Sequence, residues 1–354
     1  MNPPVVPDVQ KAWVEIAQGT PEHALQLKSD WPVAKQLVPG DVLVKIQAAA
    51  LNPAGYQMLK LLPNFLARRP IVPEFDFTGV IVDSRDSEHK VGDEVFGFII
   101  YQWRFYSKTK SGALAEYICV PGKFVMKRPS NISPIEAAGL GLAGMTAFQA
   151  LDEAMLEEGQ TLLVNGGSTS VGSFAIQIAK ARGAKVVAVA SGRNEQYVVD
   201  LGADEFIDYT KVGPLHEYLT NNPPSPKYNV ILEAVGIYDP SLYTFGTSYL
   251  APNGAFISVG PEPERLLSLK TVWDTLRLLS VRLLPSVLTG YTASYHSTLV
   301  EHDRKRYAEF HRLLEQGKVK PLVDSAYAFE DALNGYDRLK TYRATGKVVI
   351  KVSI

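Results

Sequence analysis

Between residues 161 and 259 five short apolar runs alternate with stretches of helical character, and no other feature constrains the fold as tightly. The runs are 161–165 (TLLVN), 185–190 (KVVAVA), 205–208 (EFID), 228–235 (YNVILEAV) and 254–259 (GAFISV), with an amphipathic stretch over 171–182 between the first two. Continuously apolar strands separated by helices are covered on both faces, which predicts an α/β architecture with a parallel, doubly wound sheet. Residues 1–128 read differently. Runs at 41–50, 77–84, 90–98 and 115–121 are separated by Pro and Gly, the pattern of a strand-rich, partly barrel-like lobe. Helices are expected over 133–152, with Pro134 in the first turn, and over 301–316 and 329–340. A closing strand over 346–353 can return to the N-terminal lobe. At 354 residues the chain has room for two domains. The division expected is 1–128 completed by 302–354, and 129–301.

The 36 Lys and Arg against 37 Asp and Glu leave a net charge of -1, so no global positive field exists to hold nucleic acid. One cysteine, Cys119, excludes an intrachain disulfide and any zinc site built on two or more thiolates. No secretory signal, transit peptide or membrane span is readable, and the expectation is a cytoplasmic protein. The segment 265–284 (RLLSLKTVWDTLRLLSVRLL) has apolar residues at helical spacing interspersed with basic ones. Such a helix covers a cleft, forms a subunit contact, or lies on a membrane surface.

The strongest chemical signal is 161–184, TLLVNGGSTSVGSFAIQIAKARGA. A buried strand runs into a turn containing Gly166, Gly167 and Gly172 and then directly into a helix. Gly permits tight backbone geometry and close approach of a phosphate, and the free N–H groups at the head of the helix face the anion. The next strand ends in Ser191, Gly192, Arg193 and Asn194, where a fold preferring the unphosphorylated dinucleotide usually places an Asp or Glu. Ser191 and Arg193 suit a 2′-phosphate instead, which points to NADPH, with Glu195 as the alternative, a carboxylate that binds ribose if the strand end shifts slightly.

With these residues in view the chain resembles the zinc-independent branch of the medium-chain dehydrogenase/reductase superfamily, the quinone oxidoreductase and enoyl reductase relatives. The landmarks, in family order, are ALNP at 50–53, FDFTG at 75–79, VGDEVFG at 91–97, GALAEY at 112–117, GMTA at 144–147, the turn at 166–172, LGADEFIDY at 201–209 and GKVVI at 346–350. The resemblance implies a GroES-like catalytic domain, completed by the C-terminal strand, and a Rossmann domain that binds NADPH. It implies pyrophosphate contacts from Gly166 and from Ser168, Thr169, Ser170 and Val171, 2′-phosphate contacts from Ser191, Arg193 and Tyr209, and nicotinamide contacts from Asn52, Thr146, Val235, Gly236 and Gly260. Lys347 matches a family position that can reach the cofactor. Relatives are commonly dimers. Two departures stand out: Thr169 and Ser170 replace paired glycines of the family, and no acidic residue stands near Gly55.

The six histidines include no pair at metal-ligand spacing, so hydride transfer without metal is expected. That chemistry suits a conjugated acceptor, an enone or quinone, whose own π-system carries the charge once hydride arrives. Asn52, Tyr56, Gln57 and Thr146 are the candidates around the reacting atoms: Asn52 or Gln57 to orient the acceptor carbonyl, Tyr56 to offer a phenol. The segment 101–110 (YQWRFYSKTK) is either a wall of the substrate pocket or an exposed loop. Two further readings stay open. One is a trans-acting enoyl reductase of a biosynthetic pathway that meets a carrier partner, the other a nucleotide-binding scaffold without turnover.

Overall fold

The computed structural model describes residues 5–100, 109–237, 239–260, 269–284, 286–289 and 292–353. The chain divides into two compact units, Met1–Met145 with Glu301–Glu315 and Pro321–Ile354, and Thr146–Val300 with Gln316–Lys320.

In the first unit the strands are β1 (Val9–Glu15), β2 (Leu25–Pro32), β3 (Asp41–Ala50), β4 (Asp76–Ser84), β5 (Glu94–Phe98), β6 (Tyr117–Pro121) and β7 (Val125–Lys127). The second unit contributes β8 (Thr161–Asn165), β9 (Lys185–Ala190), β10 (Glu205–Asp208), β11 (Tyr228–Glu233), β12 (Leu250–Ser258) and β13 (Ser294–Ser297). The chain then returns to the first unit with β14 (Val323–Ala328) and β15 (Lys347–Lys351).

The seven-stranded sheet of the first unit runs β14-β15-β3-β4-β5-β7, with β6 paired to β3. β15 lies antiparallel to β3, Val349 opposite Ala50, so the closing strand does join the N-terminal lobe. Phe75, Phe77, Ile46, Leu51, Tyr336 and Ile350 form the centre of its core. The sequence expectations did not include β1, β2, β7 or β14. β1 and β2 form their own two-stranded sheet, and β14 is half-buried along its length.

In the second unit the order is β10-β9-β8-β11-β12-β13, and the pairings are all parallel. This is the doubly wound arrangement expected, and chain order reverses between β8 and β11, the place where such sheets open a crevice at their carboxyl ends. β8 and the apolar part of β9 are buried throughout, as two-sided coverage requires. β11 stops at Glu233, two residues short of the expected 235. The cause is the Glu233 carboxylate, which takes the N–H groups of Val235, Gly236 and Ile237 and turns the chain out of the ladder.

Helices form at 134–137 and 141–153, where one was expected over 133–152, at Arg304–Glu315, and at Ala332–Lys340 after a short 3-10 turn. Ser133 caps the first of these through a reciprocal bond with Glu136. The amphipathic segment is helical over Leu269–Leu283, and its residues 265–268 lie outside the described residues. Val272, Trp273, Leu276 and Leu283 on it are exposed. Its basic side chains are partly engaged within the unit: Lys270 pairs with Asp239 and Asp274, and the Arg277 guanidinium lies 4.8 Å over the Phe245 ring. Among the described residues no helix is long and apolar enough to cross a membrane.

Candidate active site

Candidate residues stand in each of the two units. In the second unit β8 leads into a turn whose backbone is dictated by close packing. Gly166 has a φ of +88°, and a Cβ there would stand 2.6 Å from Val235 Cγ2, so the turn after β8 and the turn after β11 nearly touch at the switch point. A Cβ on Gly172 would meet Gly166 O at 2.1 Å. The helix Ser170–Ala181 begins immediately, with Thr169 as its cap.

The substitution of Thr for a family glycine at 169 has a structural reason. Its Oγ1 accepts the Gly172 N–H at 3.0 Å and donates to Gly166 O at 2.9 Å, tying the turn to the helix head. The N–H of Val171, in the first helical turn, has no protein partner among the described residues. An anion is met there by an open donor and the positive end of the helix.

Ser168 Oγ accepts a hydrogen bond of 3.0 Å from Asn194 Nδ2, which joins this turn to the one after β9. Asn194 was not singled out from the sequence; its signal was its place in the same strand-end turn as Arg193. Arg193 is exposed and forms no hydrogen bond or ion pair with any described residue. Ser191 stands at the head of the turn Gly192–Asn194, and Tyr209 is half-exposed at the start of the helix Tyr209–Val212. Val235 and Gly236 are held by Glu233, which is buried, and Gly260 by a 3.3 Å bond from its N–H to Ser258 Oγ. Thr146 is half-buried in the helix Gly141–Glu153, at the first residue of this unit. The residues present therefore fit a dinucleotide: an open helix head at the switch point of the sheet and an unengaged guanidinium.

In the first unit the helix Pro53–Leu61 starts beside a buried polar cluster. Glu74, Asp76, Asn52 and Lys347 are each no more than 3% exposed. Asn52 Nδ2 donates to Ala50 O, Glu74 Oε2 and Asp76 Oδ2 at 3.1, 3.3 and 3.1 Å, and its Oδ1 accepts from Lys347 Nζ at 2.5 Å. Lys347 Nζ also bonds Asp76 Oδ2 at 2.9 Å, and Tyr336 OH donates to Glu74 Oε1 at 2.8 Å. The Leu142 N–H closes Asp76 Oδ1 at 2.6 Å.

Three sequence expectations change here. The Asn52 amide is fully engaged inside the cluster, which leaves it nothing to offer a carbonyl. The Lys347 ammonium, expected toward the cofactor, is held between Asn52 and Asp76. The acidic group missing near Gly55 is delivered through space by Glu74, whose Oε1 lies 2.3 Å from where a Gly55 Cβ would stand. Glu74 escaped the sequence reading because it lies 19 positions from Gly55, in a left-handed backbone conformation with φ +68°.

Gln57 behaves otherwise. It is 4% exposed, and its Nε2 has no hydrogen-bond partner, an unsatisfied donor on the helix that starts at the cluster. The neighbouring Tyr56 phenol is hydrogen-bonded to the phenol of Tyr342, which is half-exposed. Residues 101–108 of the expected pocket wall lie outside the described residues.

The buried carboxylates are thus satisfied by protein groups. Among the described residues no group of three or more His, Cys, Asp or Glu is placed to hold a metal ion. Burial, with Asp41 and Asp83 nearby, pushes the Cys119 thiol up to about 12, far from the thiolate that ligates zinc. Among the described residues no donor set fits a catalytic zinc.

Residues 38–130 match the family described as "Alcohol dehydrogenase GroES-like domain", and residues 201–350 the one described as "Zinc-binding dehydrogenase". A zinc-type alcohol dehydrogenase-like protein of Schizosaccharomyces pombe is 32% identical, with 97% of this chain and 96% of that one covered. A trans-enoyl reductase of Penicillium oxalicum is 31% identical, with 97% of each covered. An NADPH-dependent alkenal/one oxidoreductase of Arabidopsis thaliana is 33% identical over 98% of this chain and 80% of that one. Among solved structures, the quinone oxidoreductase of Coxiella burnetii superposes with a TM-score of 0.76 at 23% identity, covering 97% of this chain and 99% of that chain.

Proposed function

Because the chain belongs to the medium-chain dehydrogenase/reductase superfamily of pyridine-nucleotide-dependent oxidoreductases, we propose that it uses NADPH to reduce an activated carbon–carbon double bond or a quinone. The observation that carries this reading is the glycine turn at the switch point, where Gly166 abuts Val235 and the helix Ser170–Ala181 begins directly after the turn. The names of the relatives from Penicillium oxalicum and Arabidopsis thaliana support the acceptor class.

When bound, the reduced dinucleotide supplies hydride to the acceptor. Gly166, Ser168, Thr169, Ser170 and Val171 hold its pyrophosphate, and Ser191, Arg193 and Tyr209 its 2′-phosphate. Val235, Gly236, Gly260 and Thr146 form the nicotinamide side. A charged hydrogen bond from Arg193 is worth about 1.5–3 kcal/mol, or roughly one to two decades of affinity.

Gln57 is the group that receives the substrate oxygen. Its free Nε2–H has no protein acceptor, and an enone or quinone oxygen gaining negative charge satisfies it. Asn52 acts as a positioning residue, since its bonds to Glu74, Asp76 and Lys347 fix the start of the helix that carries Gln57. Tyr56, linked through Tyr342 toward solvent, provides a route for the proton that completes the reduction.

The test has two stages. Titration with NADPH, followed by nicotinamide fluorescence, is expected to saturate and to be tighter than with NADH. Turnover is then followed as NADPH oxidation with a panel of quinones and enones. Binding without oxidation across the panel would assign the chain to the scaffold reading.

A further inference from the structure

From the sequence, no carboxylate stands at the end of β9, where one would accept ribose hydroxyls. The fold brings one there from the next strand. Asp208 ends β10, in parallel register with Ala190 at the end of β9. Its Oδ2 lies 2.4 Å from the point where a Cβ on Gly192 would stand. Gly192 is flanked by Ser191 and Arg193, so the carboxylate rests against the backbone of the very turn assigned to the 2′-phosphate. The missing side chain at 192 is what admits it.

The Asp208 side chain is one-tenth exposed. Its Oδ1 accepts from the Thr210 N–H at 3.0 Å and the Thr210 hydroxyl at 2.7 Å. The Thr210 hydroxyl, foremost among its partners, holds the carboxyl below the usual carboxylate range, so it is charged at neutral pH. Lys211 approaches its Oδ2 at 3.4 Å but is 78% exposed, and a solvated cation of this kind screens the carboxylate incompletely.

We infer that Asp208 is a specificity-determining residue that opposes Arg193, so that the chain discriminates between NADPH and NADH less than the guanidinium alone would dictate. The inference rests on the dinucleotide reading above. A fixed negative charge against the turn repels a 2′-phosphate, whereas a neutral 2′-hydroxyl meets no such repulsion and can donate to it. Selectivity at this turn is then the difference between two opposed charges on neighbouring strand ends.

The experiment measures dissociation constants for NADPH and NADH by nicotinamide fluorescence in the full chain, at low and at moderate salt, for wild type, Asp208→Asn, Asp208→Ser and Arg193→Gln. Asn and Ser both keep a side-chain acceptor for the Thr210 N–H, so two independent variants remove the charge while preserving the cap. Each is expected to raise the preference for NADPH roughly three- to tenfold, through tighter NADPH binding, and the gain should shrink with salt. Arg193→Gln should shift the preference the opposite way. If both Asp208 variants fold and leave the preference unchanged while Arg193→Gln alters it, the inference falls and the dinucleotide reading stands. If wild type binds neither dinucleotide, the dinucleotide reading itself falls.

Discussion

Lys347 Nζ lies 2.9 Å from Asp76 Oδ2, an ion pair in which the two side chains are 3% and 0% exposed. The pair links β15, the last strand of the chain, to β4, and its lysine also fixes the Asn52 amide. A buried pair of this kind is costly to break from one side, because the surviving charge is left without a partner in a medium that solvates it poorly. Lys347→Met is therefore expected to destabilise the protein by about 3–5 kcal/mol. The measurement is a urea titration, with a lower midpoint at unchanged slope. Adding Asp76→Asn to that variant should recover part of the loss, and a single variant within about 1 kcal/mol of wild type would show that the pair is not what holds the strand.

Gln57 should show the reverse relation between stability and activity. Its Nε2 is buried without a partner, so Gln57→Leu removes an unsatisfied donor and is expected to leave stability unchanged or raise it by about 1 kcal/mol. The same change removes the donor assigned to the substrate oxygen, and kcat/KM for an enone should fall by roughly 10- to 1000-fold. Urea midpoints and initial rates on the same preparations check both. A stabilised variant with undiminished turnover would remove Gln57 from the site.

The contrast between these two residues also marks what could be read from the sequence. Four of the five apolar runs of the second unit, those of β8, β9, β11 and β12, announced themselves because burial on both faces forces a continuous apolar pattern, and the turn at 166–172 was legible because phosphate approach and helix packing both demand Gly. The site in the first unit was not. Asn52, Glu74, Asp76 and Lys347 span almost 300 positions, and their meeting depends on β3, β4 and β15 lying side by side. Asp208 was hidden likewise, since a parallel neighbour, not the strand in view, supplies the carboxylate. Local pattern reveals strands and turns; through-space neutralisation of buried charge does not register in it.

His302 predicts an acid limb in stability. It stacks on Phe124 at 4.0 Å between ring centroids and lies 4.5 Å from Phe98, with neither ring nitrogen hydrogen-bonded. Burial, with Lys123 nearby, pulls it from 6.5 down to about 3. Between those values the unfolded chain takes up a proton at this histidine and the folded chain does not, so stability falls as pH drops through that window. The slope due to this residue is up to about 1.4 kcal/mol per pH unit. His302→Phe should flatten the limb in chemical denaturation between pH 6 and pH 4 (roughly the range where most proteins stay folded). An unchanged slope would mean that other groups govern it.

Cys119 is 1% exposed, and its thiol is pushed up to about 12. Thiol reagents at neutral pH are expected to leave the folded protein unlabelled and to modify one thiol after denaturation. Activity should survive such treatment. Rapid labelling of the native protein, counted by mass spectrometry, would contradict the packing of Cys119 against Val33, Leu37, Leu43 and Val82 that buries it.

The central claim, that the chain moves hydride from a reduced dinucleotide to a conjugated carbon, is tested most directly by isotope transfer. NADPH carrying deuterium at both positions of nicotinamide C4 is incubated with an α,β-unsaturated ketone and the protein, and the product is examined by mass spectrometry and NMR. The account predicts a saturated ketone with one deuterium at the β-carbon and a solvent-derived hydrogen at the α-carbon. A saturated product whose β-hydrogen comes from solvent, or a dinucleotide left unoxidised with every acceptor tried, would contradict it.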